Sequence, residues 1–133
     1  MKKTAIIVLA GVGILASCSK KQTIKAIDED LTQGTWKVTL FEEDGVNETS
    51  DYSAYSFTFN SDGNVTAALS SASVSGTWKS EKDDDHVDFI LTLPIPLDDL
   101  SDDWEVVSNS STKLELKDVS GDGSIDRLTF EKN

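Results

Sequence analysis

The sequence predicts an all-β domain: an antiparallel barrel of about eight strands running up and down, preceded by a short helical turn. Three observations predict it. From Thr35 onward, apolar and polar residues alternate with a period of two, the spacing of a half-buried strand. The alternating runs are short and separated by clusters of Gly, Asn, Asp and Ser, which is turn chemistry. The runs also follow one another through mostly short connections, so a sheet curled on itself leaves no open edge to template aggregation.

The chain opens on a different pattern. Lys2 and Lys3 precede an apolar run from Thr4 to Ala16, which ends in Leu15-Ala16-Ser17-Cys18. The run is shorter than the roughly 20 apolar residues a membrane span requires. A basic start, a short apolar stretch and small residues before a cysteine predict a cleaved lipoprotein signal peptide. Residues 1–17 are then the signal peptide, and residues 18–29 are the lipidated cysteine and its tether. Residues 30–133 are the barrel. Each buried CH₂ contributes roughly 0.8 kcal/mol, so two or three acyl chains on Cys18, palmitate among them, hold a protein durably at a membrane.

The elements follow in order. Ile24, Ile27 and Leu31 recur at spacings of three and four, predicting a helical turn or two with one apolar face. Gln33-Gly34 ends it. Trp36, Val38 and Leu40 form the inward face of a first strand, and Tyr55, Phe57 and Phe59 that of a second. Val65, Ala67 and Leu69 follow the turn Asn60-Ser61-Asp62-Gly63. Val74, Gly76 and Trp78 make the fourth strand, and Val87, Phe89, Leu91 and Leu93 the fifth. Trp104, Val106 and Ser108 begin the sixth, Leu114 and Leu116 the seventh, and Leu128 and Phe130 the last. The connection from Pro94 to Asp103 is too long for a tight turn, and its two prolines forbid a central strand. Leu97, Leu100 and Trp104 share a helical spacing there, so a short helical turn lying over one end of the barrel is expected. Gly34-Thr35-Trp36-Lys37 recurs as Gly76-Thr77-Trp78-Lys79, read as two strands whose glycine lets the backbone pass close under an indole.

Composition narrows the function. With Lys2 and Lys3 removed, 10 basic residues stand against 24 acidic ones, a net charge of −14 before the termini. Such a surface repels nucleic acid and anionic headgroups and suits divalent cations or basic partners. Cys18 is the only cysteine, so once acylated it leaves neither a disulfide nor a free thiol. No Gly-x-Ser-x-Gly elbow and no phosphate-cradling glycine loop occurs. An enzyme is therefore not expected.

Two loops carry candidate metal chemistry. Asp118, Ser120, Asp122, Ser124 and Asp126 place oxygen atoms at positions 1, 3, 5, 7 and 9 of a calcium-like loop, with Gly123 at the sharp bend. Position 12, where a bidentate Glu belongs, is Thr129. The same residues also suit a hairpin turn. The only histidine, His86, lies in Asp83-Asp84-Asp85-His86-Val87-Asp88. Acidic neighbours favour its protonated form, and a zinc site ordinarily draws on several His or Cys ligands. No cofactor is expected, calcium being the one ion the pattern suggests.

Leu31-x-x-Gly34-Thr35-Trp36, Tyr55-x-Phe57-x-Phe59-x-x-x-Gly63, Ser75-Gly76-Thr77-Trp78 and the late Leu114-x-Leu116 together resemble the lipocalins. The closer likeness is to the short lipocalin-like domains of bacterial lipoproteins. The resemblance implies an up-and-down barrel and a basic residue of the last strand, Arg127 or Lys132, packed across Trp36. It implies binding of a small apolar or amphipathic ligand, with Tyr55, Phe57, Trp78 and Phe89 as lining residues. An eight-stranded barrel is also small enough to be filled by its own side chains. In that case the protein is an interaction or inhibitor module meeting an envelope protein. By resemblance to lipoproteins of two-membrane bacteria, Ser19 after Cys18 implies the outer membrane, with the domain facing the periplasm or beyond as a monomer.

Overall fold

The computed structural model describes residues 23–133. The signal peptide, Cys18 and the tether up to residue 22 lie outside the described residues. One helix, α1 (Ile24–Leu31), precedes nine strands: β1 (Trp36–Glu43), β2 (Val46–Asn47), β3 (Ser56–Phe59), β4 (Asn64–Ala68), β5 (Ser73–Asp83), β6 (His86–Thr92), β7 (Asp102–Asn109), β8 (Lys113–Val119) and β9 (Ile125–Lys132). All neighbours are antiparallel. Strands β3 to β9 pair in chain order, and β1 closes the ring between β9 and β3. The result is a closed eight-stranded barrel, with β2 as an extra strand folded back on the end of β1.

The two sides of β1 close unequally. Against β9 the ladder runs from Trp36↔Lys132 to Glu42↔Arg127, whereas against β3 it is the single pair Trp36↔Phe57. A bulge between Val38 and Leu40 inserts an extra residue. Because side-chain direction alternates with each residue, one insertion flips the phase. Phe41 is therefore buried in place of Leu40, which the unbroken alternation had pointed inward. A second bulge, between Val106 and Ser108 on β7, sets Ser108 opposite Glu115 and out of phase with the buried Trp104 and Val106. Strand β4 stops at Ala68, and Leu69 is exposed in the turn beyond.

Helix α1 belongs to the folded unit, which therefore begins before residue 30. Thr23 caps it, its hydroxyl accepting from the Ala26 N–H at 3.0 Å. Ile27 and Leu31 are fully buried beneath the barrel. Asp28 accepts from the Ser80 hydroxyl at 2.7 Å, and Asp30 from the Asn109 amide at 3.1 Å. These bonds hold the helix across the end where β1 begins and β5, β7 and β9 finish. The opposite end is closed by two segments. Tyr52, beside a 3-10 turn at Thr49–Asp51, meets Phe41 edge-on at 5.3 Å. Leu97 and Leu100, around a 3-10 turn at Asp98–Leu100, are buried over Trp104, as the helical spacing in that connection predicts.

Each tryptophan ties its strand to a neighbouring helix or turn. The indole N–H of Trp36 donates to Leu31, that of Trp78 to Asn60 and that of Trp104 to Leu100, each at 3.0 Å. A buried indole left unpaired is costly, so these bonds fix where helix and turns sit.

The two glycines of the repeated Gly-Thr-Trp-Lys differ in role. Gly34 turns the chain at φ 74, a conformation that favours glycine. Gly76 lies where β5 meets β6, and a Cβ there would run into the Thr92 carbonyl. It permits close approach of a neighbouring strand, not passage under an indole. Gly76→Ala is accordingly expected to destabilise the fold by about 1–3 kcal/mol, the usual cost of overpacking, with no change in the exposed surface. Urea denaturation measures it, and an unchanged midpoint would contradict the contact.

Candidate functional site

The inward side chains of β3, β5, β6 and β9 build an aromatic cluster in the half of the barrel nearer α1. Phe59 is its hub: its ring centroid lies 6.4 Å from Phe57, 5.7 Å from Trp78, 6.0 Å from Phe89 and 5.4 Å from Phe130. Phe57 also meets Phe130 at 5.1 Å, and Trp78 meets Phe89 at 5.9 Å. Most of these pairs are edge-to-face, the arrangement favoured by aromatic quadrupoles. Of the predicted lining residues, Phe57, Trp78 and Phe89 are thus buried in one cluster, Trp78 and Phe89 in direct contact and Phe57 joined to them through Phe59. Tyr55 stands apart, half-buried at the start of β3, 6.4 Å from Phe57.

Lys132 takes the place across Trp36 that the sequence left open between it and Arg127. Its Nζ lies 5.3 Å from the indole centroid, a cation–π distance. The register decides this, since Lys132 pairs with Trp36 while Arg127 pairs with Glu42 at the other end of β1.

Outside the barrel, an open cleft runs between α1 and the β3–β4 turn. It comprises overlapping depressions of about 200 and 250 Å³ that share Asp28, Ser61 and Trp78.

The calcium-like loop forms a tight hairpin turn. Ser120 and Ser124 close it backbone to backbone at 2.9 Å, and Gly123 sits at φ 90. One Asp122 carboxylate oxygen accepts both the Ser124 N–H and its hydroxyl, which holds that carboxyl below its usual range. The turn Asn60-Ser61-Asp62-Gly63-Asn64 repeats the geometry: Asn60 closes on Asn64, Gly63 sits at φ 93, and Asp62 accepts from the Asn64 N–H. Asp118 and Asp126 face each other across the β8–β9 ladder, and Asp126 also accepts from the Asp44 N–H at 3.0 Å. Among the described residues, the carboxylate and imidazole groups that converge in threes are Asp83, His86 and Asp88, and Glu43, Glu48 and Asp99.

Crowded carboxylates set the pH response. Burial, then Asp99 and Glu48, pushes Glu43 up. Burial, then Asp103, raises Asp88, and burial, then Asp102, raises Asp118. Tyr52, buried among the same acids, is pushed up to about 12. A carboxyl with a raised native pKa holds its proton more tightly when folded, so stability is gained as pH falls through that pKa. His86 is raised by the Asp85 hydrogen bond, so its contribution is complete below the ordinary histidine value and fades as pH rises through the raised one. Asp62 and Asp122 act oppositely, but only below the ordinary carboxylate range. The melting temperature is therefore expected to rise from pH 8 to about pH 5 before acid unfolding sets in, and 0.5 M salt should narrow the difference. Circular dichroism melts check this; a higher melting temperature at pH 8 than at pH 5 refutes it.

A closed up-and-down β-barrel with an N-terminal helix across one end, and a basic side chain of the last strand over the first-strand tryptophan, defines the class. The lipocalin-like domain family model matches residues 32–118, more than half of the chain. The chain belongs to the lipocalin-like domain family. No curated protein and no solved structure matches it.

Proposed function

We propose that this protein is a lipid-anchored barrel of the cell envelope that acts through its outer surface, as a protein-interaction or inhibitor module and not as an enzyme. Cleavage before Cys18 and acylation of its thiol supply the anchor, and the outer membrane is its location. The observation that carries the surface reading is the packed aromatic cluster around Phe59, enclosed between α1 and the segments bearing Tyr52 and Leu100. The acidic balance favours a basic partner.

A second reading is a small apolar or amphipathic ligand. Membership of the lipocalin-like family and the open cleft beside Trp78 support it.

One measurement tests the anchor and separates the two readings: native mass spectrometry of the full gene product extracted from envelope membranes in a non-ionic detergent. The expected mass is that of residues 18–133 carrying acyl chains, with no organic adduct. An unprocessed mass overturns the anchor. An organic adduct that survives desalting transfers the assignment to the ligand reading and weighs the ligand. Spectra with added calcium test the 118–126 loop in the same experiment.

A further inference from the structure

A second cluster of chemistry-bearing side chains lies on the outer wall of the barrel, carried largely by strands. His86 and Asp88 are two residues apart on β6 and so share its outward face, while Val87 and Phe89 point inward and are buried. Asp83 on β5 is the ladder partner of His86, and Glu105 on β7 is that of Asp88. The sheet register therefore collects one imidazole and three carboxylates across three adjacent strands.

The imidazole is oriented as a ligand. Its Nε2 lies 3.1 Å from an Asp88 oxygen and 3.6 Å from an Asp83 oxygen. Its Nδ1 lies 3.3 Å from Asp85. With the Nδ1 proton held toward Asp85, an ion that displaces the Nε2 proton would meet the ring lone pair between the other two carboxylates, the carboxylate–histidine arrangement that supports metal ligation. The three ligand atoms lie within 4.8 Å of one another, close enough to coordinate one ion.

We propose that Asp83, His86 and Asp88 form a surface site for a divalent transition metal of the zinc class. One imidazole nitrogen and two carboxylate oxygens make a three-ligand set, with water completing a tetrahedron. The nitrogen selects zinc, nickel or copper over calcium, which takes oxygen ligands. Charge favours the ion too. Asp83, Asp85, Asp88 and Glu105 are gathered around one imidazole, and a divalent cation offsets more of their charge than a single imidazolium does. The site is independent of the surface-module reading and of the 118–126 loop.

The test is isothermal titration of zinc chloride into the full chain carrying Cys18→Ser, in a non-ionic detergent and a non-coordinating buffer. Cys18→Ser removes the thiol that any unacylated chain would offer to zinc. One zinc per chain is expected, with at least a tenfold weaker affinity in both His86→Ala and Asp88→Asn, and unchanged affinity in Asp122→Ala. Melting curves without metal verify that the variants fold. Absence of binding, wild-type affinity in His86→Ala, or a loss confined to one of the two variants overturns the site.

Discussion

Phe59→Ala is expected to cost about 3–5 kcal/mol of folding stability, the range for removing a large buried aromatic. Phe59 is almost completely buried, and its ring touches those of Phe57, Trp78, Phe89 and Phe130. Truncation removes the contacts of the residue that joins four others, and neighbours held on rigid strands collapse only partly into the gap. A domain of this size has roughly 5–15 kcal/mol in total, so the loss is a large share. The same substitution separates the two functional readings. A dry, apolar void lined by aromatic rings binds small apolar molecules, so saturating benzene is expected to recover part of the lost melting temperature in Phe59→Ala and to leave the wild type unmoved. If the interior already held a ligand cavity, benzene would stabilise the wild type as well. Urea denaturation with and without benzene distinguishes these results.

The barrel was readable because the pleat writes itself into the sequence. Inward residues recur at every second position, and all eight barrel strands stand where that alternation places them. The helical turn from Ile24 to Leu31 was readable for the same kind of reason, at a period of 3.6. What the alternation could not carry was phase. The bulges near Thr39 and Val107 each shift it by one residue, and nothing local in Thr-Leu-Phe or Val-Val-Ser announces a bulge. The identity of the aromatic hub was hidden as well. Phe59 and Phe130 lie 71 positions apart, and only the register of β3 and β9 around β1 brings their rings together. The candidate surface site divides in the same way. A lone histidine among aspartates was visible in residues 83–88, but the convergence of Asp83 and Asp88 on one ring nitrogen follows from the Asp83↔His86 pairing. The likeness of the 118–126 loop to the 60–64 turn emerges only in the structure, where Asp122 and Asp62 each cap the residue two positions on.

Leu31→Ala is expected to cost about 2–5 kcal/mol, although Leu31 ends a single short helix that precedes the first strand. A helix of eight residues has almost no stability of its own in water, so α1 exists because its apolar stripe is buried. Leu31 is fully buried, and its carbonyl accepts the Trp36 indole N–H at 3.0 Å. Shortening the side chain opens a void beside that indole and loosens the bond that aligns helix with barrel. Lys25→Ala, on the exposed face of the same helix, is expected to change stability by no more than about 0.5 kcal/mol. Urea denaturation of the two variants checks the contrast. Equal, small effects would mean that α1 is a tether laid against the barrel, with the domain beginning at β1. Under the expected result, α1 is an integral part of the barrel domain, closing the end at which β1 begins.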